Sequence, residues 1–373
     1  MAAESYQFQP SAPFTLGVEI EFQIIDRSDC SLVPFGPQLL NLAPQLLRPR
    51  LALELIKSML EIQTGICNNV RAVENDLLQT CSLADELAED NGCLLYAASL
   101  HPFARAAGQE LTDDSRYLRI MQELQIIGRR FISQGLHVHV GMVDGDTAIR
   151  VCNAIQAFLP VFLALSTSSP FFQGKDTGLM SYRTKLFEVL PLAGIYEYMP
   201  DWQAFATQFD ELKRHGVIET IHDVWWDVRP NGTFGTVEIR ICDLPTRFND
   251  ILAIVALIQG TVAWLVDRAG ETRPLQLSLL QANKWQAARY GLEGRFIDPT
   301  GLLGSHAMNL RLAAMLLKKK VTESSVQLNS ISYLDYLDSI ISGGTGADLQ
   351  RRIYRQTGNF KEVIREVQQG FWK

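Results

Sequence analysis

Glu19 and Glu21 lie two residues apart in Gly17-Val18-Glu19-Ile20-Glu21-Phe22-Gln23-Ile24, where every second residue is apolar. On a strand that spacing puts Val18, Ile20, Phe22 and Ile24 on one face and Glu19, Glu21 and Gln23 on the other. Leu136-His137-Val138-His139-Val140 repeats the pattern with two imidazoles. Thr236-Val237-Glu238-Ile239-Arg240-Ile241-Cys242 repeats it with Glu238, Arg240 and Cys242 opposite three branched residues. Met59-Leu60-Glu61-Ile62-Gln63 adds Glu61 on a segment short enough to be strand or helix. If these strands are neighbours, about 4.8 Å apart, their carboxylates oppose folding unless they are protonated or bridged by cations. Divalent ions relieve that repulsion. Residues i and i+2 are about 6.5 Å apart on a strand, so Glu19 and Glu21 can serve different ions, with His137, Glu61 and Glu238 completing the shells. The oxygen-rich donor set favours Mg²⁺ or Mn²⁺ over Zn²⁺.

Each motif alone has a plain structural reading. An E-x-E can be a solvated strand face, an H-x-H a pair of satisfied core histidines, and Glu238 with Arg240 an ordinary ion pair. Their coincidence on several strands with one alternation is what points to a shared site. Arg183, Arg229 and Arg289 are further candidates, because a guanidinium fork suits phosphate and carboxylate oxygens; structural ion pairs are the alternative for each. Trp225 and Trp226 read as core or pocket wall, and His101 in Leu100-His101-Pro102-Phe103 as a hydrogen-bonded turn histidine. The chain contains no Walker A sequence, G-x-S-x-G or H-E-x-x-H. A bound nucleotide would therefore be held by metals and arginines.

The elements that must position these residues are a set of strands covered by helices. Spacings of three and four link Val70, Val73, Leu77, Cys81, Ala84 and Leu87 into a helix stopped by Asn91-Gly92. Residues 113–134, 147–165, 250–268, 277–290 and 305–319 read as helices too, the last of them opening a helical C-terminal end. In 373 residues no repeat or Gly/Ser-rich linker separates two halves, which favours one domain over residues 1–373. Lys plus Arg number 34 against 41 Asp plus Glu, a net charge of −7 that repels nucleic acid and anionic membranes. Residues 151–174 are interrupted by polar residues and Pro160, and residues 251–266 fall short of the ~20 a membrane span requires. Both read as buried helices. The six cysteines show no C-x-x-C spacing and follow no targeting segment, so they read as reduced, cytosolic and core-filling.

Taken in order, several motifs resemble the type 2 glutamate–cysteine ligases, also called carboxylate–amine ligases, close to the bacterial YbdK-like proteins. They are Phe14-Thr15-Leu16-Gly17-Val18-Glu19-Ile20-Glu21, Ser58-Met59-Leu60-Glu61, His101-Pro102-Phe103, His137-Val138-His139-Val140-Gly141, Phe234-Gly235-Thr236-Val237-Glu238-Ile239-Arg240 and Arg289-Tyr290-Gly291-Leu292-Glu293-Gly294. The resemblance implies an α+β, glutamine-synthetase-like catalytic fold, in which a curved, mostly antiparallel sheet floors the active site and helices pack outside. It implies Mg²⁺ held by Glu19, Glu21, Glu61, His137 and Glu238, ATP on those ions, Arg240 facing the transferred phosphate, and Arg183, Arg229 and Arg289 on substrate or phosphate. The partners it implies are glutamate, an amine such as cysteine, and a second copy in a homodimer. Two departures stand out. Relatives often read E-x-x-x-E at the second acidic segment, whereas Lys57 precedes Glu61 here and Glu54 lies three residues upstream; and Ser99-Leu100-His101-Pro102 replaces G-T-H-P.

The chemistry implied is activation of a carboxylate by ATP to an acyl phosphate, then attack by the amine to give an amide, γ-glutamylcysteine for glutamate and cysteine. Two other readings compete: a metal-dependent amide or phosphate hydrolase, and a catalytically silent nucleotide-binding relative, the latter motivated by Lys57. Glu238→Gln is expected to abolish turnover and leave the fold intact.

Overall fold

A computed structural model describes residues 5–268, 274–304 and 306–372. Its centre is a seven-stranded sheet formed by β1 (Leu16–Asp26), β2 (Leu51–Leu53), β3 (Met59–Gln63), β4 (Cys93–Tyr96), β5 (Leu136–Gly141), β6 (Val228–Asn231) and β7 (Thr236–Ile239). The order across the sheet is β6-β7-β5-β1-β3-β2, every pairing is antiparallel, and β4 pairs the C-terminal half of β1. Residues 59–63 are thus a strand, not a helix: paired on both edges, their Leu60 and Ile62 join the same core as Ile20 and Phe22. β7 stops at Ile239, three residues short of Cys242, because the N–H groups of Arg240 and Ile241 both donate to the Asp227 carbonyl instead of a ladder partner (2.9 and 3.1 Å).

The apolar face of β1 is Val18, Ile20, Phe22 and Ile24, each 2 % exposed or less. Each contributes about 1.5–3 kcal/mol by leaving water. Against this face and its neighbours pack α1 (Val70–Asp90), α3 (Gly145–Ile155) and α5 (Phe248–Val266), while α2 (Ser115–Leu124) lies elsewhere. Helix α1 begins where Asn69 accepts from the Ala72 N–H and ends at Gly92, whose φ of +74° suits a residue without Cβ. Helix α5 is apolar on all sides and almost wholly buried inside the protein, the position of a core helix.

Some helices are shorter than their periodicity suggests. Residues 147–165 form α3 and α4 (Leu159–Ser166), bent by 66° with Pro160 in the first turn of the second. Residues 113–134 yield only α2 and a short 3-10 turn, since Gln125 takes φ +49° and ends the helix. The helix expected over 277–290 is α6 (Leu277–Tyr290), and α7 (Leu310–Lys320) follows a two-residue strand; Ser305 lies outside the described residues. All six cysteines are buried and free.

Candidate active site

Register brings the polar face together in ranks. Arg229, Glu238 and His139 lie side by side across β6, β7 and β5. His137, Glu19 and Gln63 form the next rank across β5, β1 and β3, and Glu21 faces Glu61 across β1 and β3. Above them opens a cleft of about 330 Å³. Its walls come from α2, Glu54, Phe131 and Ser133, Phe187 and Leu190, and the segment containing His222 and Trp225.

Contacts on this floor are close. Nδ1 of His137 is 3.0 Å from Glu19 Oε2 and its Nε2 is 3.8 Å from Glu21 Oε1, while Nε2 of His139 is 3.3 Å from Glu19 Oε1 and 3.9 Å from Glu238 Oε1. Arg229 donates Nε and Nη2 to Glu238 at 2.8–3.0 Å, and its Nη1 to the carbonyls of Ile221 and Val224. Arg240 also contacts Glu238. Glu238 therefore stays well below the usual carboxylate range: burial opposes this, but Arg229, Arg240 and His139 outweigh it. Burial likewise opposes ionisation of Glu19, yet the two imidazoles hold its pKa low.

The other end of the floor behaves oppositely. Burial, then Glu61, pushes Glu21 up to about 8; burial, then Glu21, pushes Glu54 up to about 8; and burial, then Glu19 and Glu54, raises Glu61 well above its ordinary value. His137 is pushed down to about 4 by burial and by Arg240, so it is neutral and able to ligate.

Two sets of donor atoms, Glu19/His137/Glu238 and Glu21/Glu61/His137, each lie within 4.8 Å of one another. The buried Nε2 of His137 has no hydrogen-bond partner among the described residues, and that of His139 has only the Glu19 carboxylate at 3.3 Å. An open imidazole nitrogen between Glu21 and Glu61, carboxylates that resist ionisation, fits a divalent cation with an oxygen-rich shell. On entry, a cation would displace the protons held by Glu21 and Glu61.

The cationic candidates separate. Arg240 lines the cleft. Arg229 lines it too, but its guanidinium is consumed by Glu238 and two carbonyls, which makes it the support of Glu238. Arg183 does not line the main cleft: it is buried where a Cβ on Gly135 would stand, over the Phe187 ring at 4.7 Å and 3.4 Å from the carbonyls of Arg240 and Ile241, and borders a small adjoining cavity with Arg240 and Trp225. Arg289 donates to the Gly178 carbonyl away from the cleft. Lys57 points to Glu110 at 3.3 Å and does not line the cleft, whereas Glu54 does. His101 bonds the Cys30 carbonyl (2.8 Å) and the Ala104 N–H (2.9 Å) as a turn histidine. Trp226 stacks on Tyr196 in the core and Trp225 is cleft wall.

Four cleft residues lie outside the set assigned from the sequence motifs. His139 was visible in H-x-H, but its share in the site depends on β7 lying beside β5. Glu54 sits outside any strand, and its only signal is its distance from Glu61. Arg116 and Tyr117 come from α2, whose sequence looks like an ordinary amphipathic helix; the Tyr117 hydroxyl is 3.5 Å from Glu54.

Residues 15–369 match the family model described as "Glutamate-cysteine ligase family 2(GCS2)". Proteins named "Putative glutamate--cysteine ligase 2" are 38% identical in Gloeobacter violaceus, over 97% of this chain and 98% of that protein, and 35% identical in Herpetosiphon aurantiacus, over 97% and 95%. The fold is shared with the glutamate–cysteine ligase of Francisella tularensis, solved in complex with AMP, at TM-score 0.71 and 14% identity over 98% of this chain and 90% of that one. A bifunctional glutathione synthetase of Pasteurella multocida gives TM-score 0.69 at 12% identity, over 96% of this chain and 52% of that one. With match and sheet both running through the acidic strands, the strand histidines and the final E-x-R, the chain belongs to the glutamate–cysteine ligase family 2.

Proposed function

We propose that this protein is an ATP- and Mg²⁺-dependent carboxylate–amine ligase that joins glutamate, or a similar acid, to an amine, with cysteine the first acceptor to test. The observation that carries this reading is the pair of donor sets sharing His137 on the cleft floor, with the Arg240 guanidinium beside them. In it, Glu19, Glu21, Glu61, His137 and Glu238 would hold the cations, with Glu54 as a further carboxylate. Bound there, Mg²⁺ supplies charge neutralisation and orientation for a triphosphate.

The residues account for the rest. Arg229 holds Glu238 in place through its fork, which fixes the last strand's carboxylate without a mobile side chain. Arg240, kept charged because Glu238, Glu19 and Glu21 outweigh its burial, faces the charge that develops on the phosphoryl group. A substrate carboxylate oxygen attacks the γ-phosphorus, the bond to the β–γ bridging oxygen breaks, and ADP leaves. The resulting acyl phosphate is attacked at carbon by the amine nitrogen, expelling phosphate and losing a proton to form the amide. The surrounding walls exclude water, which would otherwise hydrolyse the acyl phosphate.

ADP release is the test, measured with ATP, Mg²⁺, glutamate and a panel of amines. Amine-dependent ADP formation with amide product supports the proposal. Hydrolysis of an amide or phosphate ester without ATP would point to a metal hydrolase, and nucleotide binding without turnover to a silent relative.

A further inference from the structure

The cleft has two chemically distinct compartments, and only one is accounted for by metals and triphosphate. Opposite the carboxylate floor, Ile120, Leu124, Phe131, Phe187, Leu190 and Trp225 line the same space. Phe131 and Phe187 meet edge to face at 5.1 Å, and Phe131, Leu190 and Ile120 are 7–8 % exposed. In the chain between Phe131 of the apolar wall and Gly135, whose N–H donates to Glu21, Ser133 is 7 % exposed, and its buried hydroxyl lines the cleft with no hydrogen-bond partner among the described residues. A buried hydroxyl without a partner loses its hydration uncompensated, so its place is explained if a bound molecule supplies the bond.

We infer that this compartment seats the side group of the amine acceptor, and that the preferred acceptor is a primary amine with a branched aliphatic or aromatic group larger than the cysteine side chain. This rests on the ligase reading above. Position argues for the acceptor over the nucleobase: Phe187 and Trp225 also border, with Arg183, Asp227 and Arg240, a small second cavity, so the apolar wall adjoins the guanidinium assigned to the transferred phosphate. A group seated there lies beside the acyl carbon, at the reacting end of the triphosphate. Size argues for an apolar group beyond a thiol: a short side chain leaves the rings and branched residues facing a void, and each forfeits its dispersion contacts. Ser133 then bonds the polar head of the acceptor as it crosses from one compartment to the other.

The experiment is ADP release with ATP, Mg²⁺ and glutamate against a graded series of alanine, cysteine, valine, leucine and phenylalanine, repeated with Ile120→Ala and Phe131→Ala. Each added methylene that is well packed is worth about 10–200-fold in discrimination, so kcat/KM for leucine or phenylalanine is expected to exceed that for alanine and cysteine by at least about tenfold. The enlarged compartments of the two variants should move the optimum to a larger side group. Ratios between amines within one variant cancel any loss of folded protein. A flat ranking, or cysteine ahead of leucine and phenylalanine, overturns the inference while leaving the ligase reading intact. So does a rise in KM for ATP with the amine ranking unchanged, which would give the compartment to the nucleobase. No ADP from any amine would instead remove the ligase reading, and this inference with it.

Discussion

The two faces of β1 are built from alternating residues of one strand and do opposite work. Val18, Ile20, Phe22 and Ile24 are buried under helices and hold the fold together. Glu19 and Glu21, one residue away in each case, meet His137, His139 and Glu61 in an arrangement whose like charges oppose folding. A period of two separates the faces so completely that burial on one can offset repulsion on the other. The difference teaches that the acidic end of the polar face is retained for what it binds, since replacing Glu21 or Glu61 by a neutral residue would relieve the cost of burying it.

Glu238→Gln gives the largest effect. It is expected to abolish ADP release, and because it breaks the buried fork with Arg229 it should also cost about 3–5 kcal/mol in denaturant unfolding. The sequence alone led to the expectation of an intact fold; the Arg229 pairing, at 2 % and 1 % side-chain exposure, adds the expectation of a loss in stability. On the opposite face, Ile20→Ala should cost about 2–5 kcal/mol through the cavity it leaves, with KM for ATP unchanged in the molecules that remain folded. Glu61→Gln sharpens the contrast. It should raise the urea midpoint without metal near pH 7, since folding no longer has to protonate a carboxylate buried beside Glu19 and Glu54, while turnover falls at least about a hundredfold.

A pH titration of stability tests the same contrast without mutation. Glu21 and Glu54 are pushed up to about 8 in the folded protein, so between the unfolded carboxylate range and pH 8 the native state binds more protons than the unfolded one. Stability without metal should therefore fall as pH rises through that window. His137, pushed down to about 4, acts with the opposite sign between about 4 and the ordinary histidine value near 6.5, so the decline should be cleanest between pH 6.5 and 8. Saturating Mg²⁺ should flatten it; a curve that rises with pH there would contradict the picture of protonated carboxylates. The smallest effect belongs to Lys57→Ala, within about 0.5 kcal/mol as a surface change and with turnover preserved, because its partners are Glu110 and Asp113 outside the cleft.

Much of the floor was legible because alternation along a strand fixes which side chains share a face before any neighbour is known. Glu19 with Glu21, and His137 with His139, could be paired in this way. Helix lengths were less legible: Gln125 ends α2 through a left-handed backbone that its side chain does not announce, and Pro160 bends a stretch that reads as continuous. The arginines divide similarly. Arg183, Arg229, Arg240 and Arg289 look alike in one dimension, yet one borders a small cavity beside the cleft, one is spent on Glu238, one faces the cleft and one bonds a distant loop.

The sequence by itself determined the family, the strand faces and the acidic, imidazole-bearing character of the site, since periodicity and motif order are local properties of the chain. Only the tertiary structure decided which strands are neighbours, that Glu54 rather than residue 57 enters the cleft, and that an apolar compartment from α2, Phe131, Phe187 and Leu190 stands opposite the carboxylates. Those facts depend on strand order and on segments brought together from some tens to more than a hundred residues apart, where the free energy of packing, and no local preference, selects the contact.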